Sequence, residues 1–182
     1  MPTWETVRRQ VAIAGRVTDS LTGRSISGAK LSITAVNFSL DLTTAADGHF
    51  HVLDFPDGAY TVTATLPDAG SRYGGTQAQA VVAREPGGRI IMAETDLALN
   101  PTTIKGKITM QGGTPVAMAE ISLRGSGERT FTDKEGSYSL LGVEIGDRLV
   151  QVLAQGYKPA SQMVTLVKAG DAAIVNLMLK EA

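Results

Sequence analysis

The sequence predicts an all-β chain: two tandem Greek-key-type β-sandwich domains of about seven strands each. Three observations predict it. The apolar residues alternate in short runs, which puts one face of each strand into a core. Glycine and proline punctuate the chain at intervals that interrupt any helical period, with Pro86, Pro101, Pro115 and Pro159 among twenty glycines. Finally, the chain repeats itself. Residues 44–64 (TAADGHFHVLDFPDGAYTVTA) lie over residues 132–152 (TDKEGSYSLLGVEIGDRLVQV) at a constant offset of 88, with Gly48 on Gly136, Phe50 on Tyr138, Val52 on Leu140, Phe55 on Val143 and Gly58 on Gly146. Each copy is a turn, an alternating strand, a second glycine turn and a second strand, the grammar of a hairpin.

In chain order, residues 1–10 read as a polar N-terminal arm with one large apolar side chain, Trp4. Trp4 either folds back on the first domain or plugs a neighbouring subunit, tryptophan being favoured at interface anchors. The first domain, 11–100, opens on VAIAGRVTDS, whose Val11, Ile13 and Val17 share the odd positions of one strand. A turn at Gly23 and Gly28 leads to LSITAV with Leu31 and Ile33 on one face, and Leu40 and Leu42 follow before the Asp47–Gly48 turn. After the hairpin, LPDAGSRYGGTQ (66–77) has no counterpart of equal length in the second copy and reads as an inserted surface loop. AQAVVA and RIIMAETDLAL then give two strands around Pro86–Gly87–Gly88.

Asn100–Pro101 is the best boundary, because proline restricts the residue before it and cannot continue a central strand. The second domain, 101–182, restarts the grammar: TIKGKIT matches AIAGRVT with Gly106 under Gly15, and AEISL matches AKLSI with Ile121 under Leu31. MVTLV (163–167) and AIVNLML (173–179) supply its last two strands.

Composition excludes several classes of function. Apolar residues make up 43% and charged residues 19%, in the folded range, and the formal charge is −1 with both signs interspersed. No basic stripe interleaved with aromatics points to nucleic acid. The lack of cysteine removes disulfides and thiolate metal sites. No stretch approaches the ~20 apolar residues of a membrane span. The opening MPTWETVRRQVAIAG does not read as a secretory signal, its longest apolar run after Arg8–Arg9 being Val11–Ala14. The expected location is the cytoplasm, or a particle assembled there.

The ordered set GRVTDSLTGRSISGAKLSI, DGHFHVLDFPDGAYTVTA and an apolar strand pair resembles the carboxypeptidase regulatory-like domain. That is a transthyretin-like β-sandwich that follows the catalytic domain in some zinc carboxypeptidases and recurs in many bacterial proteins. The second copy, with GKITMQGGTPVAMAEISL, TDKEGSYSLLGVEIGDRL and AQGYKP, resembles it too. It departs from the pattern at Arg148, where an aromatic such as Tyr60 is common, and at Met118, where glycine is common; both departures suggest a less regular second core. The resemblance implies the fold and leaves the function open. The enzymes of related families need residues this chain lacks: His51-Val-Leu-Asp54 only echoes the His-x-x-Glu pair of zinc carboxypeptidases, and the chain ends LMLKEA where hydroxyisourate hydrolases end Tyr-Arg-Gly-Ser.

The residues that could carry chemistry are few. His49 and His51 are two apart on one strand, hence on one face, with Asp47, Asp54 and Asp57 close in sequence. Two imidazoles and a carboxylate could hold Zn²⁺. Against this, Phe50 and Val52 point inward and leave both histidines in solvent, and the aspartates suit turns. The expectation is no metal, no cofactor and no catalysis, since no other base of the usual kind serves a serine or threonine. Arg124-Gly-Ser-Gly-Glu-Arg129 joins two strands and so reads as a hairpin tip, not a phosphate loop, which must open a helix. What remains is a noncatalytic structural or interaction subunit that offers edges and loops to other subunits, as in a phage-tail-like contractile injection particle. The alternative is a carbohydrate-binding or adhesion module.

Overall fold

The protein, represented by a computed structural model that describes residues 9–182, is almost entirely β. Trp4 lies outside the described residues. The chain divides into two compact units. The first holds the residues through Pro67 together with Gly75–Leu99; the second holds Asp68–Gly74 together with Asn100–Ala182.

The first unit runs through β1 (Val11–Asp19), β2 (Lys30–Ala35), β3 (Phe38–Thr43), β4 (His49–Leu53) and β5 (Gly58–Thr65). A 3-10 turn at Pro67–Ala69 and the short β6 (Tyr73–Gly74) follow, and β6 belongs to the second unit. The chain then makes β7 (Thr76–Arg84), β8 (Ile90–Ile91), β9 (Ala93–Glu94) and β10 (Leu97–Pro101). One sheet has the order β3-β2-β5-β7-β8; the other sets β1 between antiparallel β4 and parallel β9 and β10. Consecutive strands change sheet at β1–β2, β3–β4, β4–β5 and β8–β9, as a Greek-key-type sandwich requires. Leu31, Ile33, Val62 and Val82 from one sheet and Ile13, Val17, Phe50 and Leu99 from the other are all buried. The alternation read from the sequence is therefore the alternation between core and solvent. Val11 is the exception. A bulge between Val11 and Ile13 shifts the β1–β4 register, so that Ala12 and Ile13 are both buried and Val11 is 36% exposed.

The second unit repeats the plan with β11 (Thr103–Met110), β12 (Glu120–Leu123), β13 (Arg129–Phe131), β14 (Ser137–Leu141), β15 (Gly146–Leu153), β16 (Ala160–Leu166), β17 (Ala172–Ile174) and β18 (Leu177–Leu179). Its sheets are β13-β12-β15-β16, and β11 between antiparallel β14 and parallel β17 and β18. Ile104, Ile108, Ile121, Tyr138, Val150 and Val175, contributed by both sheets, form one buried cluster.

Two devices recur in both units. The strand parallel to β1, and the one parallel to β11, each break in two where the sequence reads as continuous. At the first break Asp96 Oδ1 accepts from Arg16 N at 2.8 Å; at the second, Asn176 Oδ1 accepts from Lys107 N at 2.8 Å. A side-chain oxygen thus stands in for a ladder carbonyl. Directly opposite sit Gly15 and Gly106, where an added Cβ would lie 1.9 Å from Thr95 O and Val175 O respectively. Second, the buried Thr44 hydroxyl donates to Ile26 O (2.8 Å) and accepts from Ala29 N (3.0 Å). Thr132 does the same with Val116 O (2.7 Å) and Ala119 N (2.9 Å).

The second unit meets its two departures from the pattern with local substitutes. Tyr60 donates its hydroxyl to Pro56 O at 2.9 Å. Arg148, at the matching position, donates Nε to Glu144 O at 2.9 Å and Nη2 to Ile145 O at 2.8 Å. The guanidinium makes the bond of the missing phenol, to the carbonyl four residues back. Met118 takes the left-handed conformation of Gly28, φ 56° against 70°.

Candidate interaction surfaces

The histidines sit where the sequence puts them, on β4 with Phe50 and Val52 turned into the core. Register places His51 and Glu94 on either side of Ala14, and His49 beside Arg16. Glu94 and Asp96, which no sequence signal links to the histidines, thereby share their face. Strands lie about 4.8 Å apart, so His51 and Glu94 stand roughly 10 Å apart at the backbone. Among the described residues no group of three or more His, Cys, Asp or Glu is placed to hold a metal. His49 Nδ1 instead lies 3.2 Å from Asp47 Oδ2, in the open. The His49 backbone N–H first, and then the imidazole, hold the Asp47 carboxyl below its ordinary pKa, against a smaller opposing effect of burial.

A better-built site lies in the second unit. The stretch 66–77, expected as a surface loop of the first domain, instead gives Asp68–Gly74 to the second unit. Arg72 Nη1 donates to Glu128 Oε1 at 2.8 Å and to Gly142 O at 2.9 Å, while Nε lies 3.5 Å from Glu144 Oε1. The Glu128 side chain is only 15% exposed. Its pKa is lowered, by the Ser126 hydroxyl above all and by Arg72 in addition, while partial burial works the other way. These side chains and Arg148 line a cleft of about 160 Å³. The backbone is held as firmly. Ser71 O accepts from Thr102 Oγ1 (2.7 Å), Arg72 O from Thr102 N (2.8 Å), and Ser71 Oγ from Ile145 N (3.0 Å). Tyr73 and Gly74 pair as β6 with Pro101 and Asn100. A Cβ on Gly74 would sit 2.6 Å from Ala169 O. The hairpin tip 124–129, read from sequence as structural, supplies Glu128 to this cleft.

The outer faces of the two units differ. In the first, the outward rows of β2, β3, β5 and β7 include Lys30, Ser32, Thr34, Ser39, Asp41, Thr61, Thr63, Gln77, Gln79 and one exposed apolar residue, Val81, with Gln79 Nε2 donating to Thr61 Oγ1 at 2.9 Å. In the second, the corresponding face exposes Phe131, Leu153 and Met163. Its edge strand β16 pairs with β15 over all seven residues and has no strand on its other side among the described residues. The sequence of β16, ASQMVTL, holds no charge and no proline. Natural edges are usually blunted by one or the other.

Solved structures similar to this chain include the Bacillus anthracis TIE protein (15% identity, TM-score 0.41), of which the chain covers 34% with 94% of its own length. The minor pilin of Streptococcus agalactiae matches 95% of this chain and is covered over 97% (13% identity, TM-score 0.37). A type II cohesin–X-dockerin complex from Acetivibrio cellulolyticus matches 44% of the chain and is covered over 58% (16% identity, TM-score 0.36). The chain thus spans about a third of the TIE chain and less than two thirds of the cohesin–dockerin one. No curated protein matches it. No helix among the described residues is long and apolar enough to cross a membrane. The carboxypeptidase regulatory-like domain matches twice, over residues 12–88 and 103–180, one copy for each sandwich described above, and the chain therefore belongs to that family.

Proposed function

We propose that the chain is a noncatalytic structural subunit that works by protein–protein contact, with the free edge of β16 as its docking strand. The observation that carries this reading is the edge itself: seven paired residues whose outward backbone groups meet no second strand, with no charge or proline to repel one. Such an edge takes an added strand through main-chain hydrogen bonds, while Met163 and its neighbours offer apolar contact. The histidines support the noncatalytic part, since His49 is engaged with Asp47 on an open strand and not with a hydroxyl nucleophile. The setting proposed is a large particle assembled in the cytoplasm, of the phage-tail-like contractile kind. Affinity capture of the tagged chain from its native cell tests both parts. The expected result is a defined set of co-purifying subunits, lost when Met163→Lys places a charge on the edge. A chain that is monomeric at high concentration and captures no assembly would sink the reading.

A second reading, carbohydrate binding, is favoured by the hydroxyl and amide array on the outer face of the first unit. Retardation in polysaccharide-loaded gels, relieved by Thr63→Val, would support it over the first. Unretarded migration in every gel would remove it.

A further inference from the structure

We infer that the second unit contains a peptide-recognition groove, specific for a Ser-Arg-Tyr-Gly segment that leaves a turn and enters a strand, that is filled in one chain by its own residues 71–74 and is open to the same segment of a second copy. The inference does not depend on the docking role of β16.

Asp68–Gly74 is held as a bound peptide would be held. One side chain enters a charged pocket: Arg72 Nη1 donates to Glu128 and to Gly142 O, and Glu144 lies 3.5 Å from Nε, so the pocket selects a long cationic side chain. The main chain on either side is read by hydrogen bonds, through Thr102 on the Ser71 and Arg72 carbonyls and through the two-residue pairing of β6. One position is selected for having no side chain, because Ala169 O and Gly170 Cα close on Gly74 at 2.6 and 3.0 Å from where its Cβ would be. These are the parts of strand-addition recognition: backbone pairing for affinity, a pocket and an exclusion for specificity. The counterpart end of the first unit lacks the acidic pocket. There Tyr60, Phe55 and Phe38 pack edge to tilted face, with ring centroids 5.1–6.0 Å apart. The groove is therefore a property of the second repeat alone.

The occupant in trans is a second copy of this chain because the groove already fits that sequence in every contact. Exchange of the loop between two copies remakes the same bonds in both, and a mutual exchange closes about a two-fold axis.

The test uses the full chain with 68–74 replaced by a Gly-Ser run of equal length. The probe is a fluorescent peptide of sequence Asp-Ala-Gly-Ser-Arg-Tyr-Gly. Saturable binding to the replaced chain is expected, with none to the unmodified chain at the same concentration, because its groove is filled. A peptide with alanine for arginine should bind at least about tenfold more weakly, as loss of a charge-assisted hydrogen bond implies. A replaced chain that keeps its β circular dichroism yet binds nothing, or binds the alanine peptide equally, overturns the inference. Should that chain not fold, Arg72→Glu and Glu128→Arg full chains decide the matter. Refolded separately they should be monomeric, and refolded together they should give a dimer on size exclusion. Monomer in all three samples, or equal dimer in all three, would overturn it.

Discussion

At the scale of single residues, the second repeat shows how a sandwich keeps its geometry after losing a preferred side chain. Met118 holds a left-handed backbone at φ 56° so that its N–H can reach Thr132 O at 3.0 Å, as Gly28 N reaches Thr44 O at 3.2 Å. A side chain in that conformation is strained by roughly 1 kcal/mol, and Met118 is 73% exposed, so it gains little packing in return. Met118→Gly should therefore raise stability by about 1 kcal/mol, read as a higher urea midpoint at unchanged slope. A lower midpoint would mean that the methionine makes contacts the strain argument ignores. Tyr138 makes the opposite kind of bargain. Its buried hydroxyl donates to Val175 O at 2.8 Å, and burial pushes its pKa from 10.0 up to about 12. The unfolded chain ionises first as pH rises, so the stability this phenol contributes is complete below about pH 10 and is lost between 10 and 12. Tyr138→Phe should lower neutral-pH stability by about 1 kcal/mol and flatten the alkaline loss, both visible in thermal melts across that range.

Between residues and units stand the strands, and here much of the fold was legible in the sequence. Period-two alternation identified the inward residues of β2, β4, β5 and their second-copy partners, because burial on one face imposes that period. It misplaced Val11, since a bulge adds a residue without changing composition. It also ran β17 and β18 together, because Asn176 reads as one more outward polar residue when its amide in fact replaces a ladder bond. The alignment of Gly15 with Gly106 was visible, but its cause was not, as the carbonyls of Thr95 and Val175 approach from some 70–80 residues away. Gly106→Ala tests that cause directly. Its Cβ would meet Val175 O at 1.9 Å, so β17 or the break that follows it must move away from β11. We expect a loss of about 2–4 kcal/mol in chemical denaturation, well beyond the ~1 kcal/mol spread of β propensity. Hydrogen exchange should show it first at Val175 N–H, which donates to Lys105 O. Unchanged protection there would refute the steric account.

For the molecule as a whole, the repeat in the sequence and the compact unit in space are not the same object. The repeat restarts at Pro101, whereas the second unit also takes Asp68–Gly74 from a stretch with no hydrophobic period and no counterpart of equal length in the second copy. That is why the Arg72 cleft could not be read from the sequence: its arginine and its two glutamates lie 56 and 72 residues apart, in segments that each read as a loop. The mismatch has a measurable consequence. A fragment cut at the repeat boundary, residues 100–182, keeps the whole buried cluster of the second unit but loses Arg72, the Ser71 bonds and β6. The Glu128 carboxylate, mostly covered, is then left without its cation, and Thr102 loses two partners. Stranding a buried charge and several hydrogen-bonding groups costs about 3–5 kcal/mol where solvent cannot replace them, and less where it can. Thermal melts should place the fragment's midpoint clearly below that of the second unit in the full chain, reported by amide exchange at Ile121 and Val150 in the core the two share. Glu128→Gln should narrow the gap, because a neutral amide tolerates the loss of the guanidinium better than a carboxylate does. Coincident midpoints for fragment and full chain would show that the seven residues from 68 to 74 decorate the second sandwich without completing it.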